Sequence, residues 1–155
     1  MTLIVFSLGN VHYSLDVRNV EEVVPLPFIT PLTNLPFFIR GIINLRGKAV
    51  SVIDLKKRFG FGDNPDELNN KIIIVKFYDK ITGFIVDEVL FVSDVCEDKF
   101  IPPPDMVEGI DMQYMSAAVQ IKSDLTIILN LDNILSYKES EELLKLDINM
   151  DDIKA

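Results

Sequence analysis

Short apolar runs alternate with turn-forming residues about every eight to twelve positions along this chain, a pattern typical of all-β proteins. Turn residues separate the paired runs at Gly9-Asn10, Arg46-Gly47, Asp79-Lys80 and Lys122–Asp124. The predicted strands are Thr2–Leu8, Val11–Leu15, Gly41–Leu45, Lys48–Ile53, Lys71–Tyr78, Ile81–Val86, Val89–Val95, Met115–Ile121 and Leu125–Leu131. The pattern therefore predicts an all-β fold built from hairpins.

Few segments show the spacing of a helix. Asp16 is the predicted N-cap of a short helix that runs through Val24 with valines on one stripe and ends near Pro25. Asp54 is the predicted cap of one helical turn, and Asp132 that of a C-terminal helix. We expect an extended connection between Pro25 and the second hairpin, because this stretch is rich in proline.

The 155 residues fit a single domain with two subdomains that share a core. A proline- and acid-rich interruption divides the strands into two clusters. We therefore expect a first barrel over residues 16–70 and a second over residues 71–137, with the N-terminal strands open to sharing between them. We expect residues 138–155 to form an acidic amphipathic tail.

Composition narrows the function classes. The net charge of −9 argues against binding to nucleic acid or to an anionic membrane, since both require a basic patch. Cys96 is the only cysteine, which favours a reducing compartment. The N-terminus lacks the basic segment and cleavage site of a signal peptide, and no apolar run has the roughly 18 residues that span a membrane. These features predict a cytoplasmic protein.

No set of residues predicts a catalytic, metal or cofactor site. His12 has no second histidine or cysteine beside it, so a structural role is favoured over metal binding. Acidic neighbours of Cys96 would blunt its thiol as a nucleophile. Gly41 and Gly47-Lys48 are separated by five residues and followed by Ala49, which does not fit a phosphate-binding loop. We therefore expect no enzyme activity.

Arg46 stands out as a candidate for binding another protein. It lies at the tip of an apolar hairpin and is followed by Gly47. A planar guanidinium binds carboxylates with two hydrogen bonds, so arginines in such positions serve as interface anchors. A solvated hairpin tip remains the competing interpretation from the residue chemistry alone.

Several motifs follow one another in a fixed order. They are Val20–Val23 (VEEV), Pro36–Gly47 (PFFIRGIINLRG), Val52–Leu55 (VIDL), Arg58-Phe59, Gly83–Val89 (GFIVDEV), Ile101–Pro104 (IPPP) and Leu125–Leu131 (LTIILNL). Their order and spacing across residues 2–137 resemble the CheW family of chemotaxis coupling proteins. The chain departs from that pattern at Ser123-Asp124, where the family commonly has an Asp-Arg pair.

The resemblance implies two SH3-like five-stranded β-barrels around a shared hydrophobic core, with short helices including a C-terminal one. It implies an adaptor that joins the regulatory domain of the histidine kinase CheA to the cytoplasmic tips of chemoreceptors at the inner face of the membrane. The residues that it implies for receptor binding are Val20, Glu22, Gly41, Asn44, Leu45, Arg46, Gly47, Val86 and Asp87. It places Val86 and Asp87 on a strand of the second barrel that faces the groove between the barrels.

Two other functions stay open at this point. One is a coupling protein of a related sensory array outside chemotaxis. The other is a small β-barrel that binds a ligand, which would need a concave polar pocket with titratable groups. We expect the isolated protein to be a monomer.

Overall fold

The computed structural model describes residues 1–60, 70–77, 79–104 and 112–134. Within these residues the chain forms ten strands and two four-residue α-helices. The strands are β1 (Thr2–Leu8), β2 (Val11–Asp16), β3 (Val20–Pro25), β4 (Ile39–Leu45), β5 (Lys48–Asp54), β6 (Lys71–Phe77), β7 (Lys80–Val86), β8 (Glu88–Asp94), β9 (Met115–Ile121) and β10 (Asp124–Leu129). The helices are α1 (Leu55–Arg58) and α2 (Leu131–Ile134), and short 3-10 helices lie at Val17–Asn19, Glu97–Lys99 and Met112–Tyr114.

The strands form two five-stranded sheets. The central sheet takes its strands from the middle of the chain, in the order β3-β6-β7-β5-β4. The terminal sheet has the order β8-β1-β2-β10-β9, so the N-terminal hairpin completes a sheet whose other strands come from the C-terminal half. The predicted all-β fold with two five-stranded subdomains is confirmed.

Three clusters of buried apolar side chains stabilise this arrangement. The largest, the shared core, lies between the sheets and takes Phe6 and Tyr13 from the terminal sheet and Phe84 from the central sheet. Each sheet has a smaller cluster made of its own residues alone. Consecutive side chains of a strand point to opposite faces, yet both Ile72 and Ile73 are fully buried, because the central sheet is covered on both faces.

The predicted hairpins and the cap of α1 are confirmed. β1 pairs with β2, β4 with β5, β6 with β7 and β9 with β10, each pair antiparallel. The Asp54 carboxylate accepts a hydrogen bond from the Lys57 amide and so caps α1. Gly60 follows the helix with a φ of +87°, as a C-terminal glycine should.

The predicted helix between Asp16 and Val24 is wrong. Asp16 does accept a hydrogen bond from the Arg18 amide, but the helical part is a single 3-10 turn that ends at Asn19. From Val20 the chain continues as β3, whose side chains alternate between half-buried and exposed. Pairing with β6 decides this segment, because edge hydrogen bonds and a half-buried face outweigh the helical spacing of a few valines.

The predicted barrel boundary at residue 70 is also wrong as a division of the strands. β6 and β7 lie after that boundary, yet they hydrogen-bond to β3 and β5 within the central sheet. β8, the third run predicted for the same cluster, pairs instead with β1 in the terminal sheet. The chain crosses from one sheet to the other at Asp87.

The C-terminal helix begins two residues earlier than predicted, since a cap at Asp132 implies a helix that starts at Asn133. α2 starts at Leu131, so Asp132 lies inside the helix and is not its cap. Three predicted features lie wholly or partly outside the described residues: the tail at 138–155, residues 61–69 of the acidic interruption, and Tyr78 at the end of a predicted strand.

Candidate partner-binding site

The turn between β4 and β5 holds Arg46 in a defined position. Arg46 and Gly47 have φ values of +49° and +82°, the pattern of a type I′ turn, which matches the twist of the flanking strands. The Asn44 side-chain oxygen accepts a hydrogen bond of 3.0 Å from the Gly47 amide across this turn. A two-residue turn fixed in this way presents the Arg46 side chain at the end of the central sheet.

Glu22 orients the guanidinium of Arg46. Both carboxylate oxygens of Glu22 accept from the two terminal nitrogens of Arg46, with 3.0 Å between Nη1 and Oε1. This hydrogen bond and the negative charge raise the pKa of Arg46 above its ordinary value. The Arg46 side chain is still 71% exposed. Because a guanidinium has five N–H donors, the Nε–H and the remaining Nη protons stay available to a second carboxylate.

The same ion pair shows how the central sheet curls. Glu22 lies on β3 and Arg46 follows β4, and these two strands are the opposite edges of the sheet. The two side chains can meet only if the sheet bends round until its edges approach each other. The candidate site is therefore a seam where the edges of one subdomain meet.

Gly41 is buried and acts on backbone geometry. A Cβ at this position would lie 2.2 Å from the Thr30 carbonyl oxygen, and the φ of +149° is unfavourable for other residues. Thr30 and Ile42 exchange two backbone hydrogen bonds of 2.8 and 2.9 Å, which place the proline-rich connection against the edge of β4. Leu45 packs against the smaller cluster of the central sheet. Gly41 and Leu45 therefore support the hairpin through its backbone geometry and its apolar packing.

Val20 and Val86 do not form an open groove. Val86 is fully buried in the shared core, and its strand β7 belongs to the central sheet rather than to a second barrel. The prediction that its side chain faces a groove is therefore wrong. Val20 is half-buried and packs against the same core, so a partner could reach part of it.

Asp87 links the two sheets. Its carboxylate accepts from the Gly9 amide at 2.7 Å and from Lys56 Nζ at 2.9 Å. Its own amide donates to the Ser7 carbonyl at 3.1 Å. One acidic residue thus joins the β1–β2 turn to α1, and its side chain is largely occupied by contacts within the chain.

Sequence reasoning missed the partners of the named residues. Glu22 and Arg46 were both singled out, but they are 24 positions apart and no local pattern pairs them. Arg40 was not singled out, although its Nη1 donates to the fully buried Asp54 carboxylate at 3.2 Å. The sequence did offer a signal for this pair, because Arg40 and Asp54 lie on either side of an apolar hairpin.

His12 and Cys96 stand apart from any cluster of metal ligands in the described parts of the chain. His12 is half-buried and Cys96 is exposed, and the described residues contain no group of three or more potential metal ligands. Among the helices of those residues, none combines the length and apolar character needed to cross a bilayer.

Comparison with known proteins agrees with this geometry. Residues 2–139 match the family model described as a CheW-like domain. The chain is 29% identical to the chemotaxis protein CheW of Treponema pallidum, over 93% of this chain and 87% of that protein. It is 30% identical to the chemotaxis protein CheW of Thermotoga maritima, over 84% of each.

A solved structure shares the fold as well. The crystal structure of the scaffolding protein TtCheW from Thermoanaerobacter tengcongensis superposes with a TM-score of 0.80 and 39% identity, and the match covers 89% of each chain. Three findings agree: the two five-stranded sheets, the match to the family model over nearly the whole described chain, and the likeness to this solved structure. The chain belongs to the CheW family of chemotaxis scaffold and adaptor proteins.

Proposed function

We propose that this protein couples chemoreceptors to the histidine kinase CheA, with the Arg46 hairpin as the receptor-binding site. The observation that carries the proposal is an exposed guanidinium held by Glu22 with donors to spare. A receptor tip is a helical hairpin that can present a carboxylate beside apolar side chains. Arg46 would bind the carboxylate, while the half-buried Val20 and Leu45 offer apolar contact.

Glu22 serves this site as a positioning residue. Without it the long Arg46 side chain would lose rotamer freedom on binding, which costs free energy. With it, the guanidinium already has one orientation in the free protein. The adaptor is recruited to receptor arrays at the cytoplasmic face of the membrane through this contact and needs no cofactor.

Arg46→Ala should weaken binding to a receptor signalling-tip fragment by about 1–3 kcal/mol, the range for a hydrogen bond to a charged partner. Arg46→Lys should recover only part of the loss, because an ammonium group cannot form the planar fork. Calorimetric titration measures the affinities, and melting curves should stay near wild type because an exposed tip residue rarely matters to stability.

The matched control for Arg46 is Lys71→Ala. Lys71 pairs with Val86 at the opposite end of the central sheet, so this variant removes one positive charge away from the hairpin. Equal losses from Arg46→Ala and Lys71→Ala would mean that only net charge matters. Unchanged binding by Arg46→Ala would place the receptor site elsewhere.

The kinase-side contact gives a second expectation. Phe28, Phe37 and Val92 are 74%, 71% and 58% exposed, so they offer apolar contacts of the kind that the core of a protein–protein interface buries. We expect the isolated protein to sediment mainly as a monomer and to form a complex with the regulatory domain of a CheA kinase. A tight homodimer that does not bind the regulatory domain in sedimentation velocity would contradict the adaptor role.

A further inference from the structure

The two sheets are structural duplicates. Both have the same strand order once β3, β6, β7, β5 and β4 are matched with β8, β1, β2, β10 and β9. Both contain one parallel pair at the same place, β5 with β7 and β10 with β2. In both, an isolated bridge attaches the segment after the first strand to the free edge, Thr30 with Ile42 and Ile101 with Ala118.

The strand registers make the equivalence residue-specific. One row of paired residues crosses the central sheet at Glu22, Ile74, Gly83, Val52 and Gly41. The corresponding row of the terminal sheet is Phe91, Val5, Ser14, Ile128 and Ala117. Arg46 lies five residues after the end of the first row, and Lys122 lies five after the end of the second. Lys122 is therefore the counterpart of Arg46, and Phe91 is the counterpart of Glu22.

The two turns share their conformation. Lys122 and Ser123 have φ values of +51° and +71°, close to those of Arg46 and Gly47. In each turn the residue two before the cation uses its side-chain amide to contact the backbone of the turn, Asn44 in one and Gln120 in the other. A left-handed conformation at a serine is uncommon, so the turn geometry is kept even where the sequence does not favour it.

The cation of each turn reaches across to the opposite edge of its sheet. Arg46 meets Glu22, and Lys122 Nζ lies 3.9 Å from the centroid of the Phe91 ring. The ring attracts and orients the ammonium group, as Glu22 orients the guanidinium. Within the described residues Lys122 has no carboxylate partner, so its hydrogen bonds remain available to an incoming acid.

We propose that the Lys122 turn is a second docking site for an acidic segment of the class that binds at Arg46. A partner carboxylate would bind the exposed ammonium group, and an adjacent apolar side chain would pack on Leu125, which is 46% exposed. The inference rests on the proposed function. One molecule would then hold two acidic helical segments at equivalent ends, and so cross-link them as a scaffold.

The experiment titrates the full chain with a receptor signalling-tip fragment and measures stoichiometry by calorimetry and sedimentation. Wild type should take two fragments. Lys122→Ala should take one, with the second affinity lowered about tenfold or more, as loss of a charge-assisted hydrogen bond implies. Lys122→Arg should keep two, Arg46→Ala should take one at the remaining site, and the double variant should take none.

Lys99→Ala is the matched control, because it removes an exposed positive charge from the same half of the molecule and lies in a separate 3-10 helix. It should bind two fragments, and melting curves of all variants should overlay. One fragment per wild-type molecule, or two that are unaffected by Lys122→Ala, overturns the second site while loss through Arg46→Ala still supports the proposed function. Failure of wild type to bind any fragment overturns both.

Discussion

Asp54→Ala is expected to lower the free energy of unfolding by about 2–5 kcal/mol, because it removes a charge-assisted hydrogen bond of about 1.5–3 kcal/mol and a helix cap of about 0.5–2 kcal/mol. The Asp54 side chain is fully buried and accepts hydrogen bonds from Arg40 at 3.2 Å and from the Lys57 amide at 3.3 Å. Its removal takes away the hydrogen bond that Asp54 accepts from Arg40 and the cap of α1. A loss of this size is a large part of the total stability of a small domain.

Asp54→Asn separates the two effects, since asparagine caps a helix about as well as aspartate but carries no charge. It should fall between wild type and Asp54→Ala in urea unfolding. Asp16→Ala is the surface control, because Asp16 also caps a turn and pairs with an arginine, but that arginine, Arg18, is 80% exposed. Equal losses from Asp54→Ala and Asp16→Ala would show that burial adds nothing to the pair.

The sequence was most informative where turn chemistry is local. Gly9-Asn10 and Arg46-Gly47 each separate two apolar runs by two residues, and a two-residue turn sets the register of a hairpin. The turn predicted at Lys122–Asp124 is one residue shorter in the structure, because Asp124 already belongs to β10. The hairpins were therefore predicted closely. Between residues 17 and 24 the local pattern was ambiguous, because valines can suit either a helix stripe or a strand edge. Pairing with a strand about fifty residues later in the chain decided it.

The division into sheets could not be predicted from the order of strands. β1 and β2 complete the terminal sheet through pairing with β8 and β10, a contact between the N-terminal hairpin and strands about 80 or more residues later in the chain. Nothing in the apolar pattern of a strand specifies which distant edge it joins. The family resemblance supplied the two-subdomain fold, whereas the assignment of strands to subdomains required the structure.

The candidate site was predicted in part for a similar reason. Arg46 follows from the turn, but its orientation depends on Glu22 at the other edge of the curled sheet. Val86 was misplaced because the central sheet is buried on both faces, so alternation does not show which side chains reach the surface. Asp87 was named for receptor binding, but its carboxylate accepts hydrogen bonds from the Gly9 amide and from Lys56 within the chain.

Gly41→Ala is expected to cost about 2–6 kcal/mol of unfolding free energy. A residue forced into an unfavourable backbone conformation costs about 1–3 kcal/mol, and each lost hydrogen bond roughly 0.5–1.5 kcal/mol. A Cβ placed 2.2 Å from the Thr30 carbonyl oxygen must push that carbonyl away, which breaks both backbone hydrogen bonds between Thr30 and Ile42. Thermal and urea unfolding of the variant measure the effect.

Gly47→Ala is the matched control because it is also a glycine with positive φ, +82°, but no atom lies within 4 Å of the added Cβ. It should bear the conformational cost alone, about 1–2 kcal/mol, and so unfold between wild type and Gly41→Ala. We expect Gly41 to affect receptor-tip binding only through the backbone that carries Arg46. A Gly41→Ala protein that melts like wild type yet no longer binds the fragment would make this glycine a contact surface rather than a support of the hairpin.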